Sequence, residues 1–168
     1  MGQGVVVTAR TFGISRVPAV KGQGMPAHDP RVEIGTGIGY ATSTQGADHT
    51  GVIIYRADSL EQMVEATRLN HIKTAVCDTM GLCQMTEPSL EVMAKLASGF
   101  YGWEWDVEEV TALGKSVLRE ERAFNRAAGL GPATDRLPHF FKEEALPPNQ
   151  GTFNVPDSEL DRVIELLD

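Results

Sequence analysis

Asp106-Val107-Glu108-Glu109-Val110-Thr111-Ala112-Leu113-Gly114-Lys115-Ser116-Val117-Leu118-Arg119-Glu120-Glu121-Arg122-Ala123-Phe124 decides the fold class. Asp106 is a cap residue, and Glu109 follows three positions on. That is a capping-box arrangement, in which each side chain satisfies a backbone amide at the helix start. Val110, Leu113, Val117, Leu118, Ala123 and Phe124 recur at helical spacing and form one apolar face. Gly129 ends the helix, and Arg119, Arg122 and Arg126 complement its negative end.

Three further helices follow from the same signals. The first runs from Ser59 to about Thr79, capped by Asp58 or Ser59, with Gly81 as its stop. The second runs from Pro88 to about Gly99, with Leu90, Met93, Ala94 and Ala97 on one face. Tyr101-Gly102-Trp103-Glu104-Trp105 is an aromatic connector to the long helix. Residues 130–156 carry five of the nine prolines and read as an extended connection, with one helical turn around His139-Phe140-Phe141. A last helix is capped by Asp157 or Ser158 and buries Leu160, Val163, Ile164 and Leu167. It reaches the chain end at Asp168 without a stop signal, which points to a continuing natural chain. The expectation is an all-α, multihelical domain over 58–168, preceded over 1–57 by an irregular Gly/Pro-rich arm.

The 168 residues suit one domain or two small ones. Hydrophobic residues make up 42% and charged residues 23%, so a packed core rather than disorder is expected. The net charge of −8 excludes a nucleic-acid surface, which needs a cationic face. No apolar run approaches a membrane span, and Met1-Gly2-Gln3-Gly4 lacks the basic start of a signal peptide. Two cysteines make no disulfide framework, so a reducing, cytoplasmic setting is expected.

Cys77-Asp78-Thr79-Met80-Gly81-Leu82-Cys83 is the segment that carries chemistry. The six-residue separation of the cysteines is no zinc-finger spacing, and two cysteines cannot hold a four-ligand cluster. Read as packing, both are small buried hydrophobes. Read as function, one projects from the Gly81 turn toward ligands supplied elsewhere. Asp78 just before the turn can accept hydrogen bonds from amine groups while the turn offers backbone amides and carbonyls, a set that suits a flat polar heterocycle.

None of His28, His49, His71 and His139 pairs with another at a metal-ligand spacing. His71 reads as a surface or half-buried helix residue and His139 as a cap or packing residue. His49 stands in the polar turn Thr44-Gln45-Gly46-Ala47-Asp48-His49, where an imidazole can act as acid or base. Gly35-Thr36-Gly37-Ile38-Gly39 fails the dinucleotide reading, because no strand precedes it and its last required glycine is absent. Its glycines read instead as sites of close backbone approach, to another helix or to a cofactor.

Asp78-Thr79-Met80-Gly81-Leu82-Cys83 resembles the D-x-x-G-L-C motif of the tungsten-containing aldehyde:ferredoxin oxidoreductases. Lys21-Gly22 with Pro26-Ala27-His28-Asp29-Pro30-Arg31 is similar to the family's K-G…P-x-x-D-P-R segment. Gly39-Tyr40-Ala41-Thr42-Ser43 and Gly46-Ala47-Asp48-His49 resemble its G-Y-A-T-S…R-G-x-x-H run, with Gln45 in place of the family's arginine. Gly102-Trp103 to Asp106, Glu121-Arg122-Ala123-Phe124-Asn125 and Asp135-Arg136-Leu137-Pro138 with Phe140 resemble its later segments. The order is collinear over about residues 20–167.

The resemblance implies a C-terminal portion of such an enzyme: the tail of one helical domain and the whole of the last. The parent activity is oxidation of an aldehyde to a carboxylic acid, with ferredoxin as electron acceptor. Related tungsten enzymes act on an aromatic thioester or a sugar phosphate, and a non-catalytic helical interaction module is the third alternative. The implied cofactors are a tungstopterin, with tungsten or molybdenum, and a [4Fe–4S] cluster. Cys83 would be the cluster's fourth thiolate. Asp78, Gly81, Leu82 and Cys83 would line one pterin. His49 would be the acid or base beside the metal, and Cys77 a core residue. The implied partners are the upstream domains of the same enzyme, ferredoxin and the aldehyde, with self-association through apolar surface left uncovered. The chain alone is expected to be inactive and to bind neither cofactor, since it supplies one thiolate of four.

Overall fold

The computed structural model describes residues 2–52, 58–165 and 167. Met1, residues 53–57, where the arm was expected to end, Leu166 and Asp168, the chain end, lie outside the described residues. The described elements are α1 (Val5–Phe12), a two-residue hairpin of β1 (Ala19–Val20) and β2 (Gln23–Gly24), α2 (Ile34–Thr42), α3 (Leu60–Thr79), α4 (Leu90–Tyr101), α5 (Val107–Ala127), α6 (Phe140–Glu143) and α7 (Asp157–Glu165). The chain is all-α in character, as its patterning predicts.

The caps explain the helix starts. Ser59 Oγ accepts from Gln62 N, and Ser89 Oγ from Val92 N. At α5 the expected capping box is present: Asp106 Oδ1 accepts from Glu108 N at 2.6 Å, and Asp106 N donates to Glu109 Oε2 at 2.9 Å. α4 begins at Leu90 and continues through Gly99 to Tyr101, because the left-handed turn that ends it falls at Gly102.

α3 is the centre of the packing and touches α2, α4, α5 and α7. One cluster joins Ile38 and Tyr40 of α2 with Val64, Phe141, Phe153, Leu160 and Val163. A second joins Val76 and Cys77 with Met93 and Val110, and a third joins Ile72 with Leu118 and Leu167.

Three readings are corrected by this packing. The arm was expected to be irregular, yet it holds α1, the hairpin and α2. α2 is glycine-rich because it is enclosed: Gly35 to Thr42 are all buried, and a Cβ on Gly39 would lie 2.0 Å from Val52 Cγ1. The glycines therefore admit side chains of this same chain. His71, expected at or near the surface, is 3% exposed, because α3 is covered on several sides rather than one. Phe124 was assigned to the apolar face of α5 but is 74% exposed. The buried stripe of α5 is Val110, Gly114, Leu118 and Arg122, four residues apart, so Phe124 falls on the far side. Met85 and Phe100 are also strongly exposed.

Candidate functional site

α3 ends at Thr79, and Gly81 takes a φ of 67°, the left-handed turn for which glycine is suited. The turn folds back on the helix: Leu82 N donates to Cys77 O at 2.9 Å, and the Cys77 thiol donates to Leu82 O at 3.4 Å. Cys77 is buried, and that burial, with Asp78 beside it, raises its thiol pKa. Cys83, one step beyond, is exposed. Its carbonyl accepts from Thr86 N at 3.1 Å and from Thr86 Oγ1 at 2.7 Å, which starts the short 3-10 turn Gln84–Thr86. Asp78 is exposed and accepts from Gln84 Nε2 at 3.1 Å. The turn thus gathers Asp78, Gly81, Leu82 and Cys83, but the Leu82 amide is already turned inward to Cys77.

His49 lies in the loop after α2, its side chain 45% exposed. It lines a cleft of about 200 Å³ with Lys73, Thr74 and Cys77 of α3 and with Gln84 and Glu87 beyond the turn. His49 and the residues Cys77, Gln84 and Glu87, distant from it in sequence, therefore face one space. Asp78 opens instead on a smaller cleft of about 60 Å³, with Ser43, Gln45, His71 and Glu121. Thr74 borders both clefts.

The loop that presents His49 is anchored by residues whose roles sequence reasoning did not assign. α5 supplies three contacts in a row: Glu121 Oε2 accepts from Thr44 Oγ1 at 2.6 Å, an Arg122 NH group donates to Thr42 O, and Asn125 Nδ2 donates to Thr44 O at 2.8 Å. Arg122 was expected to complement the negative end of α5. Its side chain is 8% exposed and serves this loop instead. α3 supplies His71, whose Nε2 lies 3.0 Å from Thr42 Oγ1 and whose ring also bonds the Gly51 backbone. Burial first, then the charge of Arg122, pushes the imidazole down to about 3, so it is neutral near pH 7. The hairpin tip supplies Lys21, whose Nζ reaches Ala41 O at 2.9 Å and Asp135 Oδ1 at 2.6 Å. Burial holds the Lys21 ammonium below its ordinary value, against the pull of Asp135. Asp135 also faces Arg122 at 3.7 Å. The only sequence signal for this network was the set of separate motifs at 21, 42–44, 121–125 and 135, which share one purpose: they set the 42–51 loop.

Among the described residues, no group of three or more His, Cys, Asp or Glu is assembled to hold a metal ion. Cys83, exposed on the turn, is a side chain of this set that could ligate a group completed by residues from elsewhere, while Cys77 is buried. His139, at the position just before α6, is exposed and lies 3.2 Å from Glu143, away from both clefts.

Residues 1–167 match the family described as aldehyde ferredoxin oxidoreductase, domains 2 and 3. The chain is 32% identical to the tungsten-containing aldehyde ferredoxin oxidoreductase of Pyrococcus horikoshii, across 83% of this chain and 26% of that protein. It is 31% identical to the enzyme of that name from Pyrococcus abyssi, across 88% of this chain and 27% of the relative. For the protein of that name from Pyrococcus furiosus the identity is 33%, across 79% of this chain and 25% of the relative. The chain spans about a quarter of the length of the curated relatives it matches.

Proposed function

Because this chain belongs to the aldehyde ferredoxin oxidoreductase family, we propose that it forms one wall of a tungstopterin site in a longer oxidoreductase, which oxidises aldehydes to carboxylic acids and passes the electrons through a [4Fe–4S] cluster to ferredoxin. The observation that carries this reading is the exposed Cys83 on the Gly81 turn, whose flanking residues Cys77 and Gln84 line the cleft that also receives His49. When bound, the metal, pterin and cluster supply the two-electron chemistry.

The residues of this chain position and protonate. Cys83 is one of four thiolates on the cluster, and the other three come from upstream sequence. Asp78 accepts hydrogen bonds from pterin amines, with Gln84 already on one of its oxygens. Gly81 permits the turn, and the backbone around Leu82 and Cys83 lines the ligand. His49 gives or takes a proton at the cleft, where an imidazole is suited to acid–base work near neutral pH. No helix among the described residues is long and apolar enough to cross a membrane. We place the protein in the cytoplasm, where its two free thiols stay reduced.

Metal analysis tests this reading. The chain by itself holds neither iron nor tungsten in stoichiometric amount, whereas the full-length protein holds both. Stoichiometric iron with sulfide on the isolated chain overturns the shared-cluster reading. In the full-length protein Cys83→Ala and Asp78→Ala abolish aldehyde-dependent reduction of ferredoxin. Activity left intact in both variants favours a helical interaction module instead.

A further inference from the structure

We propose that the cavity between the end of α5, the 130–135 segment and α7 binds a monocarboxylate with a short apolar tail, its carboxylate held by Lys21 and its tail lying along Leu130 and Ile164. The cavity measures about 330 Å³ and shares no lining residue with the two clefts of the candidate site. Small-molecule sites usually span about 300–1,000 Å³, so this one suits a small ligand. The proposal goes beyond the reaction proposed above and does not rest on it.

The buried part of the lining is charged. Lys21, Arg122 and Asp135 are each more than nine-tenths buried, and all three line the cavity. Asp135 Oδ1 lies 2.6 Å from Lys21 Nζ, and Asp135 Oδ2 lies 3.7 Å from Arg122. An ammonium carries three N–H groups and accepts nothing. Ala41 O, at 2.9 Å, and Asp135 take two of those on Lys21. Among the described residues no partner takes the third, and a buried donor left unmade is costly. Lys21 also sits among like charges. Burial holds its ammonium below the ordinary value, Asp135 opposes this, and Arg122 and Arg136 add to it. An anion in the cavity supplies the missing acceptor and offsets the crowded cations.

The rest of the lining limits what that anion is. Leu130 and Ile164 are half-buried and give the cavity an apolar wall. A phosphate group brings three acceptor oxygens, more than one open N–H can meet, and has no use for that wall. An ammonium on the ligand would need a carboxylate of its own. Asp135 is taken by Lys21, and Asp161 accepts from Arg136 at 2.6 Å. Arg126 and Glu165, the exposed charges on the lining, are of opposite sign. One carboxylate on a short hydrocarbon fits these terms.

Calorimetric titration of the full-length protein with hexanoate, hexanamide and norleucine tests the site. Hexanoate is expected to bind about tenfold or more tightly than hexanamide, which keeps the shape and loses the charge, since one charged hydrogen bond is of that size. Norleucine, which adds an ammonium, is expected to bind more weakly than hexanoate. Lys21→Gln is expected to abolish hexanoate binding, but it also removes the donor to Ala41 O. Two milder variants therefore decide the matter, each checked by unchanged circular dichroism. Ile164→Asp sets a like charge on the apolar wall and is expected to weaken hexanoate about tenfold. Arg126→Gln removes an exposed cation and is expected to weaken it about threefold. His49→Gln, in the separate cleft, is expected to leave the affinity unchanged. Hexanamide or norleucine bound as tightly as hexanoate overturns the proposal, as does the absence of any heat from hexanoate. So does an affinity kept in both Ile164→Asp and Arg126→Gln, or lost in His49→Gln. A full-length protein that oxidises no aldehyde would end the reaction proposed above, while these titrations would still decide the cavity.

Discussion

The two sides of the cleft are built in opposite ways. On the His49 side, the loop 42–51 is tied to α3, α5 and the hairpin by buried and half-buried polar groups: His71, Arg122, Asn125 and Lys21 with Asp135. On the Cys83 side, the turn 78–87 is exposed, and hydrogen bonds within its own span and the end of α3 set its shape. On the function proposed above, the side chain that moves a proton is held by the chain that owns it, and the ligand that meets partners from other segments is left open. The difference teaches that one side of the cleft is fixed by long-range buried contacts and the other by local ones.

The largest effect expected on this comparison is at Arg122. Arg122→Ala removes one partner from a buried charge network and leaves Thr42 O and Asp135 short of a donor. Such a loss costs about 3–5 kcal/mol, and denaturant unfolding of the variant measures it. A change below 1 kcal/mol would break the contrast, since the His49 side would then not be held by its network.

The buried histidine gives the contrast a pH dependence. The folded His71 ring binds its proton near 3, against an ordinary value of 6.5. Unfolding therefore takes up a proton between those values, and stability rises with pH across the window. The contribution is complete above about 6.5 and is lost as the pH falls toward 3, by up to about 1.4 kcal/mol per unit. Stability curves between pH 4 and 7 follow this slope, and His71→Gln flattens it. A slope unchanged in that variant assigns the acid sensitivity to other groups.

Two glycines sharpen the comparison further. An Ala at Gly39 would drive its Cβ to 2.0 Å from Val52 Cγ1, an overpacking that costs about 1–3 kcal/mol. An Ala at Gly81 meets nothing within 4 Å, so the cost is that of the left-handed backbone, about 1–2 kcal/mol. Gly39→Ala should shift the NMR resonances of His49, whereas Gly81→Ala should shift those of Cys83 and Gln84 alone. The smallest effect is at the open thiol. Cys83→Ala changes the stability of this chain by less than about 0.5 kcal/mol. A thiol reagent should modify one cysteine per folded chain, Cys83, and reach Cys77 only on unfolding. Equal reactivity of the two would erase the distinction between inward and outward cysteines.

Sequence reading reached the helices where local signals were complete. The capping box at Asp106 and Glu109 and the long periodic stretches of α3 and α5 are satisfied within a few residues, so they are visible without the fold. α2 was missed because its glycines lower helix propensity, and enclosure by Phe153, Val52 and its neighbours overrides that preference. Phe124 was misplaced because apolar character was read as burial, while the inner stripe of α5 ends on a charged residue, Arg122.

By itself, the sequence determined an all-α chain, its main helix boundaries, the Gly81 turn and the residues that compose the motifs. These depend on spacing, capping and backbone conformation, which act over a few positions. Only the tertiary structure decided that Glu121, Arg122, Asn125, His71 and Lys21 converge on one loop, that Asp78 and His49 open on different clefts, and that His28 meets His49. Such contacts join residues twenty to a hundred positions apart. Their partners are chosen by how whole helices pack around α3, and no local pattern encodes that choice.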